Sequence, residues 1–170
     1  MGKREKKIET IKKYITNIAS NYPTYSYGKI PSNKARNACN SYGGSIQPSD
    51  VLGLIDTSLS EDGSQGLLFT EHAVYYKRKA LFGLGDSGKV LYKNVSETGT
   101  IPSALFDYPY NKQALNDLVS LLSKIDSETV LGKIDGAINT GNEILDAVDK
   151  AKILWDRLFG ESDTTSKNTK

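Results

Sequence analysis

Apolar positions recur at helical spacing toward both ends of the chain and alternate, or run together briefly, in its middle. Ile8, Ile11, Ile15 and Ile18 lie three and four residues apart, which predicts a helix over residues 3–20 with one isoleucine stripe. Tyr14 widens the stripe, and Lys3, Arg4, Lys6, Lys7, Lys12 and Lys13 load the other faces. Such a basic amphipathic helix either docks on its own body by the isoleucine row or works at an interface. A second short helix is predicted from Ser32 or Asn33 to Tyr42, closed by Gly43-Gly44. Between the two, Tyr22 to Gly28 reads as a connector, because Pro23 and Gly28 interrupt a helix.

The middle of the chain predicts strands at residues 51–55, 67–70, 74–79 and 89–95, rich in Val, Ile, Leu, Phe and Tyr. Asp62-Gly63-Ser64 with Gly66 marks one turn, and Glu71-His72 marks a tight reversal. A period of two sends Val74, Tyr76, Val90 and Tyr92 to the core. It leaves Tyr75, Lys77, Lys79, Lys89 and Lys93 on an outward face, with Arg78 at its end. That face is either solvated, with lysines protecting an edge, or a patch for anions such as lipid headgroups, nucleic acid or an acidic protein.

Residues 101–110 contain Pro102 and Pro109 and read as irregular or as an edge strand. Asn111 then caps a helix to about Ile125, with Leu115, Leu118, Leu122 and Ile125 as its core stripe. A last apolar row, including Val130, Ile134, Ile144, Val148, Trp155 and Leu158, has the spacing of a coiled-coil seam. Gly132, Gly136 and Gly141 predict a break in it. The seam needs a partner: the isoleucine row of the first helix, with Ile8, Ile11, Ile15 and Ile18 meeting Ile144, Val148 and Trp155, or a second chain in a homodimer. The polar residues 161–170 read as a disordered tail.

One pattern carries a family resemblance. Ile30-Pro31-Ser32-Asn33-Lys34 is followed by Val51-Leu52-x-Leu54-Ile55-Asp56-Thr57, and then by Asp62-Gly63-x-x-Gly66-Leu67-Leu68-Phe69-Thr70-x-x-x-Val74-Tyr75-Tyr76-Lys77. This order resembles the small bacterial domains with a pleckstrin-homology-like (PH-like) barrel. The resemblance implies an α+β fold: an antiparallel, bent PH-like sheet or partial barrel with N-terminal helices, a closing helix and a C-terminal amphipathic helix. It divides the chain into a helical region at 1–45, a PH-like domain at 46–126, the amphipathic helix at 127–160 and the tail. Members of that family mostly bind proteins or sit near membranes without catalysing a reaction. The chain departs from the pattern at Ala73, where such hairpins carry glycine for a positive φ.

Composition and charge narrow the chemistry. The chain has 170 residues, 38% hydrophobic and 25% charged, a globular balance. It holds no run near the ~18 apolar residues of a membrane span. The start, MGKREKKIETIKKY, lacks the apolar core of a signal peptide, and Lys6 stands where a myristoylation signal has Ser or Thr. A cytoplasmic location is expected. The net charge of +2 hides an asymmetry, with nine Lys/Arg against two Asp/Glu in residues 1–45 and thirteen against eighteen thereafter. The two parts either attract each other in the fold or leave a basic patch for nucleic acid or anionic lipid.

Catalytic groups are scarce. The only His, His72, and the only Cys, Cys39, cannot build a His/Cys zinc site and lie in no nucleophile motif. His72 beside Glu71 reads as a turn residue and is the sole candidate catalyst. Asp56, Glu61 and Asp62 lie near one another, but their spacing matches no EF-hand. Gly83 to Lys89 satisfies the first seven places of a phosphate-binding loop, yet Val90 replaces the required Ser or Thr and a strand replaces the helix. No cofactor or metal is predicted. The expected function is a non-enzymatic interaction module that binds a protein partner or an anionic membrane surface, of the kind by which a mobile element inhibits a larger host complex. The alternative is an RNA- or DNA-binding protein with weak nuclease activity at His72.

Overall fold

The residues from Val51 to Asp56 are all buried, and this stretch is where the fold is anchored. The computed structural model describes residues 1–78, 85–106 and 110–135, with side chains through 127. Five strands follow one another in an antiparallel meander, β1-β2-β3-β4-β5. They are β1 (Thr24–Ser26), β2 (Gly53–Asp56), β3 (Gly66–Phe69), β4 (Ala73–Lys77) and β5 (Ser87–Leu91). The helices are α1 (Lys3–Tyr14), α2 (Ser32–Ala38), α3 (Tyr92–Thr98) and α4 (Lys112–Asp135).

The register sorts the sheet into two faces. Gly53, Phe69, Val74 and Val90 align across the strands, as do Ile55, Leu67, Tyr76 and Gly88, and these two rows share one face. That face packs in a core with Ile11, Ile15 and Ile18 and with Leu115, Leu118 and Leu122 of α4. The row Leu54, Leu68, Tyr75 and Lys89 lies on the other face. There Leu54 and Leu68 meet Ala38, Cys39 and Tyr42, from α2 and the π-helical turn Cys39–Gly43 that extends it. Central strands covered on both faces read as unbroken apolar runs, which is why Leu67-Leu68-Phe69 shows no alternation.

Helices on both faces make barrel closure unnecessary for burial. The sheet stays open, with β1 and β5 at its edges, instead of the partial barrel that the resemblance implied. The α+β class and the antiparallel order are as expected. Ala73 begins β4 fully buried, and Glu61 is the only described non-glycine residue with a positive φ, so the hairpin does not require glycine at 73.

Several elements differ from the sequence reading. The expected connector contains β1, whose Thr24, Tyr25 and Ser26 pair with Ile55, Leu54 and Gly53. The expected strand over 89–95 ends at Leu91, and Tyr92–Thr98 is helical, with Gly99 at φ 66° closing it. Tyr92 and Val95 sit three apart and both point into the core, a spacing that fits a helix, whereas on a strand the two would face opposite sides. Residues 101–110 contain a 3-10 turn, Ser103–Phe106. In α4, Asn111 accepts from Ala114 N–H through its side-chain oxygen at 3.1 Å, as a cap should, but the helix runs on through Gly132 to Asp135. The chain groups into a unit Met1–Val130 and a second, Leu131–Lys170, of which Leu131 to Asp135 is described as helix. Lys79, Ile144, Val148 and Trp155 lie outside the described residues.

Candidate interaction surfaces

The residues behind the family resemblance form a buried polar staple. Lys34, on α2, donates to Asp56 Oδ2 at 2.8 Å and to the Glu61 carbonyl. Asp56 also accepts from the Ser58 N–H at 3.0 Å and the Gly63 N–H at 3.0 Å, and from the Ser58 hydroxyl. Burial alone would lower the Lys34 pKa; hydrogen bonds to Asp56 and Tyr25, and the charge of those groups, raise it instead. Gly63, at φ 82°, packs so closely on α2 that a Cβ would lie 2.6 Å from the Lys34 carbonyl oxygen. Asp62 takes the Ser64 N–H at 2.9 Å, and its carboxyl is held well below the usual range by hydrogen bonds from Ser64. The acidic loop is therefore tied to α2: among the described residues no group of three or more His, Cys, Asp or Glu is placed to hold a metal ion.

The basic first helix is tied down in the same way. Ile11, Ile15 and Ile18 are buried in the core and Ile8 packs against it. Lys7 is fully buried, donates to the Glu71 carbonyl and to Asp126, and lies 4.8 Å from the Tyr92 ring centroid. Arg4 donates to the Ser49 carbonyl at 3.0 Å and stands 3.6 Å from Glu71. Lys3 donates to the Asp126 carbonyl at 2.8 Å. Lys3, Arg4 and Lys7 thus hold α1 against later parts of the chain.

The outward patch read from β4 and β5 is divided by the fold. Tyr75 is half-buried against the α2 core, and Lys77 donates to Ser41 Oγ at 2.7 Å, under the π-helical turn. Arg78 pairs with Asp86. Lys89 is exposed on β5. Lys93 is exposed on α3, 3.7 Å from Glu97, and not on the sheet. His72 is exposed at the β3–β4 turn, while Cys39 lies in the α2 core with its thiol pKa pushed up by burial. The structure does not bring these two together as a nucleophile and base.

No family model, no curated protein and no solved structure matches this chain.

What sequence reading missed is the open edge of β5. Tyr92 N–H donates to the His72 carbonyl at 3.0 Å and Arg78 N–H to the Asp86 carbonyl at 2.8 Å. By the alternation of an antiparallel pair, residues 88 and 90 then face β4, and Ser87, Lys89 and Leu91 turn their backbone groups to the outside. Beside this edge runs a groove of about 550 Å³, lined by Val90 and Leu91 of β5, Asn94, Val95 and Thr98 of α3, and Pro102. Only the helical fold of 92–98 brings Asn94, Val95 and Thr98 beside β5 as a wall. Among the described residues no helix is long and apolar enough to cross a membrane.

Proposed function

We propose that this protein is a PH-like interaction module without catalysis, and that it binds a protein partner by taking an extended segment of it alongside β5. One observation carries this reading: an edge strand with outward N–H and C=O groups at Lys89 borders a groove walled by α3. A segment added to such an edge gains affinity from main-chain hydrogen bonds and specificity from alternate side chains. Every second residue of it drops beside Val90, Val95 and Pro102, and acidic residues are favoured next to Lys89. The PH-like relationship draws support from the antiparallel meander and from the joining of Ile30-Pro31-Ser32-Asn33-Lys34 to Asp56. The nucleic-acid reading draws less, because Lys3, Arg4, Lys7 and Lys34 are all engaged within the fold.

The test is to pan a random-peptide phage library on the full chain and titrate the enriched peptides by fluorescence anisotropy. Lys89→Pro removes an outward N–H without taking a bond from β4. It should weaken binding at least about tenfold, the loss of roughly one or two main-chain hydrogen bonds, with the melting temperature little changed. Peptides that bind Lys89→Pro and the parent equally would end the proposal, as would a library from which nothing is enriched.

A further inference from the structure

A second groove, remote in sequence from β5, lies between α1 and α4. It has a volume of about 480 Å³ and is walled by Lys6, Lys13 and Tyr14 on one side and Leu121, Lys124 and Ile125 on the other. Its floor is apolar: Ile125 is buried, and Tyr14 and Leu121 are half-buried. Its rim is basic. Lys13 and Lys124 are exposed, and the one carboxylate at the rim, Glu9, takes the Lys12 ammonium at 2.8 Å. An apolar trough edged by ammonium groups complements an apolar body with an anionic end.

We infer that this groove binds a single-chain anionic amphiphile, an alkyl chain with a carboxylate or phosphate head. The chain lies over Tyr14, Leu121 and Ile125, and the head is met by Lys13 and Lys124, whose methylene stems extend the apolar wall. Charge and volume favour this occupant: exposed ammonium groups stand at the rim over an apolar floor, and the volume falls in the usual range for small-molecule sites, about 300–1,000 Å³. This groove shares no residue with the β5 edge, so the inference stands or falls apart from the peptide-binding proposal.

The test is isothermal titration of the full chain with decyl phosphate and decanoate below their micelle concentrations, with decyl maltoside as the neutral comparison. Both anions should bind at one equivalent and decyl maltoside at least about tenfold more weakly, the worth of about 1.4 kcal/mol. Lys13→Glu combined with Lys124→Glu, two changes at exposed positions, should weaken both anions by a similar factor and keep the parent circular dichroism spectrum. Lys89→Pro should bind them as the parent does. Equal binding of decyl maltoside, or unchanged binding by the charge-reversed protein, would overturn the inference. So would a protein that ignores monomeric amphiphiles but sediments with phosphatidylglycerol vesicles, which would make the groove part of a membrane-facing surface.

Discussion

Lys34 shows how one side chain decides between a binding motif and a structural one. It stands in the segment that carries the family resemblance, and the sequence gives it no partner. In the fold its ammonium meets Asp56, whose side chain has no exposure to solvent. Lys34→Met leaves that carboxylate buried without its cation, and breaking a buried pair from one side is strongly destabilising. We expect a loss of about 3–5 kcal/mol in urea unfolding, and a smaller loss when Asp56→Asn is added. The pH profile has a definite sign at each end. Asp62 has a depressed carboxyl, so its contribution is present above the ordinary aspartate value of about 3.9 and is lost as pH falls through the lowered one. Lys34 is raised, so its contribution is full below the ordinary lysine value of about 10.4 and is lost as pH rises through the folded one. Tyr92, raised by burial and by Asp126, acts in the same direction at the alkaline end. Urea midpoints measured across pH should fall at both extremes, with Asp62→Asn flattening the acid limb. Lys77 marks the limit of such reading: its place on the strand was legible, but the Ser41 hydroxyl that occupies its ammonium comes from 36 residues away.

Among the elements, α1 and β2 explain each other. The isoleucine stripe of α1 is legible from spacing alone, yet its seat is a glycine on another element. A Cβ on Gly53 would lie 2.7 Å from Ile11 Cγ2 and 2.8 Å from Ile15 Cδ1, so α1 packs where β2 has no side chain. Gly53→Ala should therefore destabilise by about 1–3 kcal/mol through overpacking. Adding Ile15→Val removes the Cδ1 methyl that lies at 2.8 Å, and the pair should cost less than the sum of the single changes in denaturant unfolding. Elements with long, periodic signals were visible in advance: α1, α2, the start of α4, and β2 to β4. β1 was not, because three residues carry no period and its existence depends on pairing with β2. α3 was read as a strand because Val90 and Tyr92 alternate as a strand would, and the three-residue step from Tyr92 to Val95 that marks a helix is a single step in an element of seven residues.

At the scale of the whole molecule, part of the charge asymmetry of the sequence is met by internal pairing. Lys7 with Asp126, Arg4 with Glu71 and Lys34 with Asp56 each join the basic first part to a later acidic residue. The central strands between those clasps are covered on both faces, while β5 has one edge open. Native-state hydrogen exchange should follow that geometry. The amides of Leu54, Ile55, Leu67 and Leu68 should exchange only with global unfolding, and the outward amide of Lys89 should exchange far faster. Protection of Lys89 equal to that of Leu68 would show its edge to be covered. The sequence by itself determined the main apolar stripes and the turns between the strands, because periodicity and turn residues are local properties of a chain, while the α+β class and the antiparallel order came as what the resemblance implied. Tertiary structure alone decided that the sheet stays open, which lysines are buried and which remain at the surface, and where the two grooves lie, because each depends on what distant segments bring to the same face.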